Sequence, residues 1–436
     1  MRVGGIRSAE VDDGIEWSAT VSFADQEHVV RFGGPTELVD EADASMFLAA
    51  TLLPAMAWQH DLQVDGPVSP VLVSRIDRIA RLYHAMDPSL RVPVIEVAEE
   101  RLPASTGDAV GAFFSRGVDS TYSAGLPRTE PGPIDQLLYC RTLEPVHDAE
   151  NRAQELACAE QVAERLGLPL RPIWTDLRTF TDPMLGWSTM HGAGLAAMAL
   201  LVGQAFRAVV VPGAYDIATQ PAGGSSPMLD PLFSSESVQV FHDHMDRNRQ
   251  EKLRWLVEHR PDLLELIKVC YSDNRIDNCG RCHKCLLTMS GLRAEGALHL
   301  APQFPAELDL EAVRAQRVAS LGVRSLWVPI VDRAQARGDV DLADAVRDML
   351  HACAVPPLRE LAVLARTPGG RFDPERTGAF ERIDRAGSDT ALALVRHGEV
   401  IPRGAEPGSR RPRASTWVAS AAASIEHRRR RAGRAP

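Results

Sequence analysis

The sequence predicts an α/β fold: a parallel sheet with helices on both faces, preceded by an α+β region and followed by a helical one. Three observations carry this. Short, nearly continuous apolar runs alternate with helical stretches between residues 108 and 297, as expected of strands buried on both faces and joined by helical crossovers. A hydrophobic fraction of 45% and a charged fraction of 24% are those of a globular chain, and 436 residues give ample length to bury a core. Beyond residue 300 the pattern is mostly helical.

Taken in order, "WSATVSF" and "HVVRF" alternate as strands, and "FGGP" turns the chain after them. The helical stretches "ADASMFLAATLLPAMAWQ" and "PVLVSRIDRIARLYHAM" follow, and "VPVIEVA" closes residues 1–107 as a strand. This α+β region holds no chemical motif. Region 108–297 opens with the strand Ala112–Phe114 and continues with the strand "DQLLYC". "DAENRAQELACAEQVAERLG" reads as a helix with Asp148 as N-cap, Gly167 as C-terminal stop, and Leu156, Ala159, Ala163 and Leu166 on one face. "PLRPIWTDL" is a third strand, "GAGLAAMALLVGQAF" a buried helix, and "RAVVVPGAYD" a fourth strand. Ligands of such sheets bind outside the strand carboxyl ends, which is where Phe114 and Gly213-Asp216 lie. Residues 298–401 are expected to be helical, and 402–436 a basic, disordered tail.

The net charge of −10 is unevenly spread. Residues 403–436 carry nine Arg against Glu406 and Glu426, +7, which leaves −17 for the rest. An acidic body disfavours broad nucleic-acid binding. No apolar run reaches the ~18 residues of a membrane span, and the N-terminus lacks a signal-peptide core, so a cytoplasmic location is expected. A homo-oligomer is left open. Only Lys252, Lys268 and Lys284 are lysines, against 45 arginines. Base composition accounts for most of that skew, and a surviving lysine marks a place where a compact ammonium is useful.

Four of the seven cysteines, Cys270, Cys279, Cys282 and Cys285, crowd into "CYSDNRIDNCGRCHKC". In a reducing compartment this C-x8-C-x2-C-x2-C spacing suits thiolate ligands, with Gly280 permitting a tight knuckle. Four sulfurs without an open position fit structural Zn²⁺; a redox pair and an iron–sulfur cluster are the competing readings. His283 is expected to point outward, and Cys140, Cys158 and Cys353 to be small buried hydrophobes.

The stretch "FFSRGVDST" runs from an apolar strand into a loop of small and hydroxyl residues, the composition of a phosphate cradle. A long cation, Arg116, interrupts it. The loop resembles the S-G-G-x-D-S loop of the PP-loop ATP pyrophosphatases, a HUP-like fold, and Cys270-Tyr271 with Cys279–Cys285 resembles the cysteine pattern of the 7-cyano-7-deazaguanine synthases in that superfamily. The resemblance covers roughly residues 108–297.

It implies an ATP-dependent ligase that adenylates a small-molecule carboxylate or amide and releases AMP and pyrophosphate. Ser115, Arg116, Gly117, Val118, Asp119, Ser120 and Thr121 would grip the phosphates, with Asp119 holding Mg²⁺ or ordering the loop. Arg116, which departs from the family's glycine, is expected to act as a bidentate phosphate clamp; a decayed loop is the alternative. His191, Gly213 and Asp216 are further expected nucleotide contacts. Asp230 and Glu236 are weaker candidates for facing substrate, and "FHDHMDRNRQEK" is expected to be a solvated segment. A tRNA-modifying thiolase and a zinc-stabilised, non-catalytic scaffold are the alternative functions. The N- and C-terminal regions distinguish the chain from a plain deazaguanine synthase, whose chain ends soon after the knuckle.

Overall fold

Strand pairing merges the first two predicted regions. A computed structural model describes residues 1–103, 105–141, 149–183, 185–221, 223–270, 276–318 and 321–353. Among these the strands are β1 Arg2–Val11, β2 Gly14–Phe23, β3 Gln26–Gly34, β4 Leu62–Val68, β5 Ile95–Glu100, β6 Ala109–Phe113, β7 Gln136–Arg141, β8 Leu170–Thr175, β9 Phe206–Pro212 and β10 Gln239–Asp243. They form one sheet in the order β10-β9-β6-β7-β8-β3-β2-β1-β4-β5.

The part from β6 to β10 is parallel throughout. Its order, β8-β7-β6-β9-β10, is that of a doubly wound sheet. The chain leaves β6 toward β7 and β8, then returns and continues on the other side with β9 and β10. The reversal falls between β6 and β9, and a crevice is expected at their carboxyl ends. The α/β class is as predicted, although antiparallel pairing of β1–β2, β2–β3 and β3–β8 makes the whole sheet mixed.

The β3–β8 junction explains why residue 107 is not a break. Phe32 pairs with Thr175 and Gly33 with Trp174. The Arg31 N–H and guanidinium donate to Asp176 at 2.7 and 2.8 Å, and the Thr175 hydroxyl donates to the Arg31 carbonyl at 2.7 Å. A Cβ on Gly33 would lie 2.5 Å from the Trp174 indole, so only glycine lets that ring cover the junction. One compact unit accordingly contains Met1–Met86 and Leu90–Leu308. A second contains Asp87–Ser89 and the chain from Asp309, with helices Leu310–Arg314, Leu321–Ala336 and Val340–Ala352 among its described residues. The rest of the expected helical region, and the tail, lie outside the described residues.

On one sheet face, Val209 and Val211 join the core that includes helices Ser45–Trp58 and Trp187–Leu201, which pack on each other. Twelve residues of Ser45–Trp58 are buried, so its sequence carries no polar stripe. Helix Val118–Gly125 lies against β6 and β9 and packs on helix Arg249–His259. Helix Ala149–Leu166 stops at Gly167, φ +69°, as predicted; Asp148 lies outside the described residues. Its buried stripe contains Ala159, Val162 and Ala163, and also Glu155. Among the described residues no helix is long and apolar enough to cross a membrane.

Candidate functional site

The loop after β6 sits at the topological reversal. Gly117, φ −70° and ψ 167°, is the N-cap of helix Val118–Gly125, and no side chain caps that helix. The first N–H groups of a helix have no intrahelical acceptor, so the cradle presents free donors. Hydroxyls close the loop on itself: the Ser115 N–H donates to Ser120 Oγ at 3.2 Å, the two Oγ atoms are 3.2 Å apart, and Ser120 Oγ donates to the Gly117 carbonyl at 3.2 Å. Ser115 is exposed, and Gly117 and Asp119 are half-buried. Val118, Ser120 and Thr121 are buried, which leaves Val118 only its backbone to offer an anion.

Arg116 departs from its expected role. Its side chain is 1% exposed; one guanidinium nitrogen donates to the Glu155 carboxylate and another to the Leu266 carbonyl at 3.3 Å. The charge is spent inside the protein, so the expected phosphate clamp is not formed. The backbone still adopts φ +60°, a left-handed conformation that favours glycine, and so takes the shape a glycine would allow.

Helix Arg249–His259 supplies cations from a segment expected to be solvated. Asn248 caps it in a reciprocal box with Glu251, and the i, i+3 spacing sets Arg249 and Lys252 on one face. Arg249 donates to Asp119 Oδ2. Asp119 Oδ1 is buried and has no hydrogen-bond partner. Lys252 is 0% exposed and donates from Nζ to the Gly213 carbonyl at 2.7 Å, beyond the end of β9. Burial lowers its pKa, while the Asp119 charge opposes that shift. The loop, Asp119, Lys252 and Gly213 therefore form one constellation.

A second lies at the end of β10. His242 is 6% exposed; its Nδ1 is 2.8 Å from Asp230 Oδ2, which also accepts from the Ser225 hydroxyl at 2.5 Å. His242 Nε2 is buried without a partner, and a Cβ on Gly213 would come within 2.9 Å of it. Gly213 thus touches both constellations. His191 Nδ1 lies 3.2 Å from the Ser188 carbonyl; burial lowers its pKa, with the Asp230 charge acting in the opposite sense.

Other expected contacts are engaged elsewhere. Asp216 accepts from the Thr219 N–H and hydroxyl at 2.9 and 3.0 Å in a local turn. Glu236 accepts from the Ser69 hydroxyl at 2.5 Å and the Val71 N–H at 2.9 Å, holding the start of helix Pro70–Met86. Asp243 is bracketed by Arg128 and His244, each at 3.0 Å; burial would raise its pKa, but these two partners hold it below the usual range. A groove of about 770 Å³ along β10 is lined by Arg128, Asp243 and His244, and by none of residues 115–121.

The cysteines converge as predicted. The sulfurs of Cys270, Cys279, Cys282 and Cys285 all lie within 4.8 Å of one another. Two of the separations, Cys279–Cys285 and Cys270–Cys282, are 3.8 Å. A tetrahedron with ~2.3 Å metal–sulfur bonds has edges of about 3.8 Å, so the cluster fits a four-coordinate ion. Gly280 turns with φ +72° against Pro305, where a Cβ would come within 2.5 Å of that ring. The Cys282 N–H donates to Cys279 Sγ at 3.3 Å, and Cys282 occupies the N-cap position of helix His283–Ala294 without a side-chain capping bond. His283 stands outside the sulfur cluster. Cys140, Cys158 and Cys353 are half-buried rather than core residues.

Compared with protein-family models, curated proteins and solved structures, the chain matches none.

Proposed function

We propose that the protein is an ATP-dependent adenylating enzyme of the PP-loop pyrophosphatase type, acting on a small-molecule carboxylate or amide, with structural Zn²⁺ in the four-cysteine knuckle. One observation carries the reading: an uncapped helix N-terminus at the β6/β9 reversal, with the orphaned Asp119 Oδ1 beside it. The loop N–H groups and the Ser115 hydroxyl would bind the β,γ-phosphates. Asp119 Oδ1 would hold Mg²⁺, which commonly takes one or two carboxylates together with phosphate oxygens and supplies charge neutralisation. Arg249 keeps the carboxylate oriented, and the buried Lys252 places a cation where charge develops. An oxygen of the acceptor attacks the α-phosphorus, the bond to the β-phosphate oxygen breaks, and pyrophosphate leaves. A nitrogen or sulfur nucleophile then displaces AMP from the adenylate.

The chain contains no G-x-x-x-x-G-K-[ST] and no lysine in the loop to follow a migrating γ-phosphate, which favours cleavage between α and β. The acidic body disfavours the thiolase alternative. The test is product analysis with a panel of carboxylic acids and ammonia or a sulfur donor, on protein whose metal has been identified by elemental analysis. AMP and pyrophosphate are expected, with one zinc per chain. ADP and orthophosphate would reject adenylation, iron would reject the zinc assignment, and Asp119→Asn should abolish turnover.

A further inference from the structure

The segment Leu266–Cys270 touches both sites at once. Toward the phosphate loop, the Lys268 N–H donates to the Arg116 carbonyl at 3.0 Å and Arg116 donates to the Leu266 carbonyl at 3.3 Å. Toward the knuckle, Asn278 Oδ1 accepts from the Val269 and Cys270 N–H groups at 2.9 and 3.0 Å, and its Nδ2 donates to the Ile267 carbonyl at 2.9 Å. Lys268 Nζ donates to the Asp277 carbonyl at 2.8 Å. Glu155 ties the two sides together: it accepts from Arg116 and lies 3.6 Å from Lys268 Nζ. Arg116, Glu155 and Lys268 are 1%, 7% and 8% exposed, so this is an interior charge cluster with fixed neighbours.

We propose that Glu155 and Lys268 are positioning residues for the phosphate loop, and that through them its anion affinity depends on metal occupancy of the four-cysteine knuckle. The proposal takes its ligand from the nucleotide reading above. Metal binding fixes Cys270 to the other three sulfurs and so fixes the segment that carries Lys268. That segment holds the Arg116 carbonyl, and the left-handed Arg116 sets the direction of the N–H groups that follow it. Without metal the segment keeps its contacts with Asn278, Asp277, Glu155 and the loop but loses the restraint on Cys270. Coupling of this kind is reciprocal: a factor by which metal tightens anion binding is the factor by which the anion tightens metal binding.

The test compares the full chain, metal-loaded and chelator-stripped, by hydrogen exchange over residues 115–121 and by titration with inorganic pyrophosphate. Stripping is expected to speed exchange across the loop and to weaken pyrophosphate binding roughly ten-fold. Saturating pyrophosphate should in turn strengthen zinc binding, measured against a competing chelator, by the matching factor. Glu155→Gln should retain its metal yet reproduce the faster exchange and weaker binding, with Glu155→Asp restoring part of both. If stripping unfolds the unit, the Glu155→Gln protein decides the positioning role, and the zinc titration with and without pyrophosphate decides the coupling to metal. Loop exchange unchanged in both the stripped and the Glu155→Gln protein, or zinc affinity insensitive to bound pyrophosphate, overturns the coupling. Failure of the loaded chain to bind pyrophosphate rejects the nucleotide reading instead and leaves the exchange comparison to judge the coupling.

Discussion

At Arg116 two effects oppose each other. Its left-handed backbone costs roughly 1–2 kcal/mol relative to glycine, which a glycine substitution would recover. Removing the guanidinium, however, leaves the Glu155 carboxylate inside the protein with only Lys268 near it, and breaking such a buried pair costs about 3–5 kcal/mol. The second effect is larger. Arg116→Gly is therefore expected to lower the unfolding free energy by about 1–4 kcal/mol, read from the shift in urea midpoint. A more stable variant would mean that the Arg116–Glu155 pair contributes little.

At the scale of the element, the knuckle makes a pH prediction with opposite signs for its two states. In the metal-free chain, the hydrogen bond with Cys282, then burial and the Cys282 charge, push the Cys285 thiol up; burial does the same for Cys279. A raised folded-state pKa gives stability that is present below the ordinary thiol value of 9.0 and is lost as pH rises above it. Metal binding requires thiolates, so the loaded chain loses stability as pH falls and protons compete with the ion. Melting temperatures across pH should slope oppositely for stripped and loaded protein in these ranges; parallel slopes would remove the metal from the knuckle. The knuckle, the loop and strands β6 to β9 were legible because each is a local pattern: sulfur spacing, small residues after a strand, apolar runs. β10 was not, since "VQVFHD" runs within a few residues into the polar stretch "HMDRNRQEK", though the alternation of Val238, Gln239 and Val240 was a usable signal. The partner of Arg116 was also hidden. Glu155 is 39 residues away on a helix, and only its place one turn before Ala159 marks an acid on the buried stripe.

For the whole molecule, the decisive feature is a sheet spliced from two halves by two paired positions of β3 and β8. Gly33→Val would drive a side chain into the Trp174 ring, an overpacking expected to cost about 1–3 kcal/mol. Since one sheet runs through the first unit, the loss should appear in calorimetry as a lower single transition for that unit. Separate transitions for residues 1–103 and 108–308 would show that the two halves fold independently. The splice also has a consequence for synthesis on the ribosome. β8 begins at Leu170, 136 residues after β3 ends at Gly34. At ~5–20 residues per second, that separation corresponds to roughly 7–27 s of translation. Throughout that interval the Phe32–Gly33 end of β3 in the nascent β1–β3 meander lacks the strand that pairs with it, and an unpaired strand end invites pairing with a neighbouring chain. That short end of β3 is therefore closed only once the second half of the chain has emerged.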